Sequence, residues 1–153
     1  FMKKSKQQSG QSLIEVILVT VVVATVLTAI AASVSMSAKN TSENKKRSMA
    51  ASFAQETLEV FQRERYALGW SSFQSSLVDD TYCFNTLPAD SASFVASSPG
   101  ECGDEEVIVG TTYGREAILT ILADEVKVES IVTWMDGNLE KQVEAEQTFK
   151  EIN

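Results

Sequence analysis

The sequence predicts an α+β protein. A long N-terminal helix spans a membrane with its first half and packs its second half on an antiparallel sheet of three to four strands. Three observations carry this expectation. No charged residue occurs from Val16 to Ala38. Apolar residues then recur three and four positions apart between Met49 and Phe61. In the last third the period changes to two, and Asp136-Gly137 falls between two alternating runs.

The helix begins behind a basic leader containing Lys3, Lys4 and Lys6 and ending at Gly10. Gln11-Ser12-Leu13-Ile14-Glu15 follow, and the apolar run reaches about Val34. About 20 mostly apolar residues cross a bilayer as a helix. The run is rich in Val and Thr, which are mediocre helix formers in water. In lipid every backbone group must bond within the segment, so a single span has to be helical. Ala24, Ala29, Ala31, Ala32, Ser33, Ser35 and Ser37 would let such helices approach closely. The lysines ahead of the run favour a cytoplasmic amino terminus. The leader is not read as a standard secretory signal, because the apolar run follows the glycine instead of leading up to the cut site. One acid, Glu15, stands at the start of the run. A charge at membrane depth costs a few kcal/mol, about 3 on lenient scales, so it marks function by default. The alternative is an interfacial glutamate that snorkels to water.

The second half of the helix is amphipathic. Met49, Ala50, Phe53, Ala54, Leu58 and Phe61 form one stripe, with Glu56, Glu59, Arg63 and Glu64 mostly off it. The expected helix is continuous from about Ser12 to about Tyr66, weakest at Thr41-Ser42-Glu43-Asn44. Gly69-Trp70 ends it, and residues 69–104 read as a long connecting loop rich in Ser, Pro and Asp. Cys83 and Cys102 lie in that loop. In an oxidising exterior they would close a disulfide worth roughly 3 kcal/mol; two separate thiols are the other reading. Two cysteines without histidine make a poor zinc site. Asp79-Asp80 and Asp104-Glu105-Glu106 could gather calcium, but such acids are common on solvated loops, and no metal or cofactor is assigned.

Four strands are expected from about 106 to 150. The first is Glu106–Val109. The second is Tyr113–Leu122, where Ala117, Leu119 and Ile121 alternate. The third is Glu125–Trp134, with Val126, Val128, Ser130, Val132 and Trp134 on one face. Asp136-Gly137 signals a hairpin, and the fourth strand returns from Leu139 to Phe149. A sheet with one apolar and one polar face needs a cover, and the helix stripe is the large partner at hand.

The 153 residues suit one domain plus a membrane segment. The domain plan is a leader over 1–10, a transmembrane half over 11–38 and a globular head over 39–153. Net charge is −8, from 13 basic and 21 acidic residues. That balance argues against a broad DNA site, which needs Lys and Arg on phosphates, and no nucleic-acid partner is inferred. The chain has no His, which removes the usual Ser-His and Cys-His nucleophile pairs and the commonest general base. No enzyme chemistry is implied.

The front end, Lys3-Lys4 up to Gly10 and then Gln11-Ser12-Leu13-Ile14-Glu15-Val16, resembles the class III signal of type IV pilins and pseudopilins. The strong likeness covers residues 3–35; beyond it, the expected architecture agrees with the family. The resemblance implies cleavage by a prepilin peptidase between Gly10 and Gln11. It implies that Glu15 meets the new amino terminus of a neighbouring subunit during filament assembly. It also implies other pilin subunits, a pilus assembly platform and the membrane as partners, with an inner-membrane precursor that becomes a cell-surface filament. Gln11 departs from the Phe that most often opens the mature chain there, and that residue is often N-methylated. A free N-terminal Gln can cyclise and lose the charge that Glu15 would meet. Gln55-Glu56-Thr57-Leu58-Glu59 followed by a Trp is similar to a branch grouped with minor pilins. A single-pass anchored extracellular binding or adhesion domain that never polymerises is the competing expectation.

Overall fold

The computed structural model describes residues 9–103 and 106–151. In chain order they form α1 (Ser9–Leu68), α2 (Trp70–Ser75), β1 (Thr81–Cys83), α3 (Ser91–Val95), β2 (Tyr113–Ile121), β3 (Glu125–Asp136) and β4 (Leu139–Lys150). The chain divides into two compact units, with the boundary between Asn44 and Lys45.

In the first unit α1 is helical throughout, including Thr41–Asn44, the stretch expected to be weakest. The Thr41 hydroxyl donates to the Ser37 carbonyl at 2.9 Å. A side chain that otherwise competes with helical bonding is thereby satisfied along the helix itself.

In the second unit the sheet order is β1-β2-β3-β4, all neighbours antiparallel. Alternation sets its faces. Val126, Val128, Ser130, Val132 and Trp134 of β3 point inward and are buried. The rear half of α1 covers that face through Ala50, Ala54, Thr57, Leu58 and Phe61. Near its start, Ala50 and Ala54 join Tyr113, Val132 and Trp134. Further along, Phe61 meets Phe84 and Phe94 edge-on, with ring centroids at 5.5 and 5.3 Å. Phe73 of α2 packs on Phe149 of β4. Burying each such ring stabilises by roughly 1.5–3 kcal/mol, so Phe73 and Phe94 hold two very short helices that propensity alone would not.

Within this layer the Ser130 hydroxyl is buried and has no hydrogen-bond partner among the described residues. A stranded polar group costs about 1–3 kcal/mol. Ser130→Ala is therefore expected to stabilise the fold by about 1 kcal/mol, seen as a higher urea midpoint at unchanged slope. A lower midpoint would mean that the hydroxyl is satisfied after all.

Five sequence expectations are corrected. Glu106–Val109 is not a strand: Ile108 N bonds Tyr113 O at 2.8 Å and Thr111 N bonds Ile108 O at 2.9 Å, closing a turn. Gly110 has φ 78° there, which reverses the chain at little cost only for glycine. The strand on that side of β2 is β1, from inside the expected loop. That loop also holds α2 and α3, with Asp90 capping α3 by accepting from Ser93 N at 2.8 Å. Met49 is 41% exposed, whereas Glu64, placed off the stripe, is 1% exposed. Glu64 lies three residues after Phe61 and seven after Thr57, which puts it on the buried face. The hairpin turns on Gly137-Asn138, with Asp136 paired to Leu139. Gly137 has φ 66° and no non-glycine residue described has positive φ. Glycine at the first central position is the type II′ pattern, which matches strand twist.

Candidate functional site

The helix of the first unit carries the strongest functional candidate. It is long and apolar enough to cross a membrane, and none of its apolar window is buried. Leu13, Ile14, Val16, Ile17 and Leu18 are each more than half exposed. Ile14, Ile17, Leu18, Val21 and Val22 lie along one side at helical spacing. Three threonine hydroxyls of this segment are turned back onto the helix backbone. Thr20 and Thr25 hydroxyls donate to Ile17 O and Val22 O at 2.8 Å, and Thr28 donates to Thr25 O at 2.9 Å. Each threonine thus presents its methyl outward, and the surface is apolar despite its composition.

Glu15 interrupts that surface. It is exposed, and it has no partner among the described residues. Leu18 and Val22, three and seven residues on, place it beside the apolar stripe. Gly10 and Gln11 fall in the first turns of α1; the leader residues 1–8 ahead of them, Lys3, Lys4 and Lys6 included, lie outside the described residues.

The second unit is held by groups that do not stand out in the sequence. Arg115 is 3% exposed and reaches from β2 to α1. Its Nε donates to Phe84 O at 2.8 Å; one terminal nitrogen donates to Phe53 O at 3.2 Å and to Glu56 Oε2 at 3.1 Å. Burial pushes the guanidinium below its ordinary pKa, and the Glu56 hydrogen bond and charge act the other way. Its position two residues after Tyr113 and two before Ala117 is the available signal: inward alternation includes it. Glu64 is a second such group. It accepts from Arg63 Nε at 2.7 Å and from the Ser91 hydroxyl, while Arg63 also donates to Pro88 O at 2.9 Å. These bonds fix the 84–95 segment on α1.

Cys83 and Cys102 form a disulfide. It ties β1 to the segment leading into the turn before β2. Asn85 braces it, donating to Glu106 O and accepting from Arg115 N, both at 2.7 Å. Glu106 lies near both sulfurs, but bonded sulfurs are not thiolate ligands. Of the acids weighed for calcium, Asp79 accepts from Ile121 N at 3.2 Å and Asp80 from Thr81 N at 2.7 Å. Both serve backbone groups; Asp104 and Glu105 lie outside the described residues. A shallow cleft of about 300 Å³ opens beside the disulfide, lined in part by Glu106, Glu116, Thr133 and Glu140.

No family model, no curated protein and no solved structure matches this chain.

Proposed function

We propose that the chain is a structural subunit, major or minor, of a type IV pilus or related pseudopilus. It is cleaved by a prepilin peptidase after Gly10 and assembles through the first half of α1. The observation that carries this is Glu15, an acid with no partner among the described residues on an exposed and mostly apolar helix segment. At membrane depth, or inside a bundle of like helices, that carboxylate alone costs about 3 kcal/mol or more. A cation from another subunit resolves the conflict, and the amino terminus released at Gln11 is the nearest in sequence. In this reading the precursor sits in the inner membrane with its head outside. The assembly platform extracts the helix, the helices bundle, and the heads coat a cell-surface filament. The buried pair sets register more than it adds stability, because replacing both charges can be neutral while removing one is costly.

Processing separates this from a permanent anchor, which the same apolar span would serve. Intact mass of the membrane-extracted wild type is expected to show a chain beginning at Gln11. Gly10→Val is expected to abolish that cleavage, leaving the lysine-bearing leader attached. A mutant that still begins at Gln11, or a wild type that retains its leader, would reject the assignment.

A further inference from the structure

The second unit contains an unequal distribution of charge that its own contacts do not resolve. Lys46 bonds Asp136 at 2.8 Å, as does Lys141 at 2.9 Å. Arg63 is paired with Glu64, Arg115 with Glu56, Lys127 with Glu146 and Lys150 with Glu125. Arg65 donates to Lys150 O. Among the described residues of this unit, the cations without a carboxylate or carbonyl partner are therefore Lys45 and Arg47. Both are exposed. Adjacent helix positions point about 100° apart. With Lys46 anchored to the sheet, its two neighbours are thus turned away from Asp136.

The complementary surface is the outer face of the sheet, the side away from α1. One cross-strand row reads Glu116, Ile131, Glu144, and the next reads Ile118, Glu129, Glu146. Glu129 and Glu146 stand directly opposite each other. Like charges in that position destabilise a sheet. Lys127 bonds Glu146 at 3.0 Å and meets Glu129 only as a more distant charge. Ile118 is 37% exposed and Met135 57%. Glu116 accepts from Cys102 N at 2.7 Å and Glu144 from Gln142 Nε2 at 2.5 Å, so both are hydrogen-bonded but neither is neutralised by a bonded cation among the described residues. The face therefore carries carboxylates around the partly exposed Ile118 with Lys127 as their one bonded cation among the described residues, and such a local cost marks a surface used for something else.

We infer that this acidic outer sheet face, centred on Glu129 and Glu144, docks the Lys45–Arg47 turn of a second copy of the chain. Charge complementarity names the occupant, since Lys45 and Arg47 lack a carboxylate and Glu129 and Glu144 lack a bonded cation among the described residues. The docking deepens the assembly reading and rests on it: copies bundled through their first helical halves would meet at high effective concentration. It gives the heads a directional, head-to-tail contact, the heterologous type that propagates into a filament.

Zero-length carbodiimide coupling of the full-length chain in membranes tests it, using co-expressed heavy-isotope-labelled and unlabelled copies. The expected result is a multimer ladder with isopeptides joining Lys45 of one copy to Glu129 or Glu144 of another. About 0.5 M salt is expected to weaken the ladder, because exposed pairs are screened. Glu129→Lys with Glu144→Lys is expected to lower the ladder about tenfold. A lysine in place of Glu129 would face Glu146 as an opposite charge, so the fold should not suffer. Adding Lys45→Glu with Arg47→Glu should restore the coupling with the charges exchanged. Absence of linked peptides between copies, or reversal without loss, would overturn the docking. A linked ladder from cells that make no filaments would count against the pilus reading alone, and filaments without the link would count against the docking alone.

Discussion

Glu15→Leu is expected to insert in the membrane as well as the unaltered chain and to yield at least about tenfold less filament. Removing one partner of a buried ion pair costs about 3–5 kcal/mol, and each 1.4 kcal/mol is about a factor of ten. Leucine is a better membrane residue than glutamate, so insertion gives no reason for a loss. Membrane fractionation alongside quantified sheared filament separates the two steps. Filament at the wild-type level from Glu15→Leu would remove the role assigned to the acid.

The second large effect is expected in the head. Arg115→Ala should destabilise it by about 2–4 kcal/mol, through lost hydrogen bonds at two backbone carbonyls and a cavity between helix and sheet. Glu56→Gln should cost less than about 1 kcal/mol, because that partner is 47% exposed and its charge is screened. Denaturant midpoints of the two variants measure the difference. Equal losses would place the stabilisation in the ion pair and not in the bonds to Phe84 and Phe53. Arg115 also sets the backbone around the disulfide: Phe84 N donates to Arg115 O at 3.0 Å, while Arg115 N donates to Asn85. The variant is expected to loosen the 84–102 segment before the rest of the sheet.

What can be read from the sequence follows the strength of its periodicities. The alternation from Val126 to Trp134 assigns the inner face of β3 residue by residue, and the turn at Gly137 falls within one position of its expected place. The apolar run and Glu15 are plain, because a stretch without charge over that length is long enough to cross a bilayer. Arg115 and Glu64 are hidden by their type: a charged residue reads as surface until its position in the pattern is given more weight than its charge. β1 has three residues, too few to show a period, and owes its place to the disulfide and to pairing with β2. The expected strand over 106–109 fails for the opposite reason. Its β-branched residues favour extended backbone, but β1 occupies that side of β2 and Gly110 turns the chain away. Val109 is 86% exposed as a result. Met49 matches the helical spacing yet faces outward, since a stripe read at three-and-four intervals admits one residue more than the sheet can cover.

Assembly of the proposed kind requires the chain to leave the lipid as part of a polymer after its leader is cut. The most direct measurement is to shear filaments from cells, identify this chain in them and sequence its amino terminus. The chain is expected to be present there and to begin at Gln11. A chain found only in the membrane as a monomer, with Lys3, Lys4 and Lys6 still attached, would contradict the proposal.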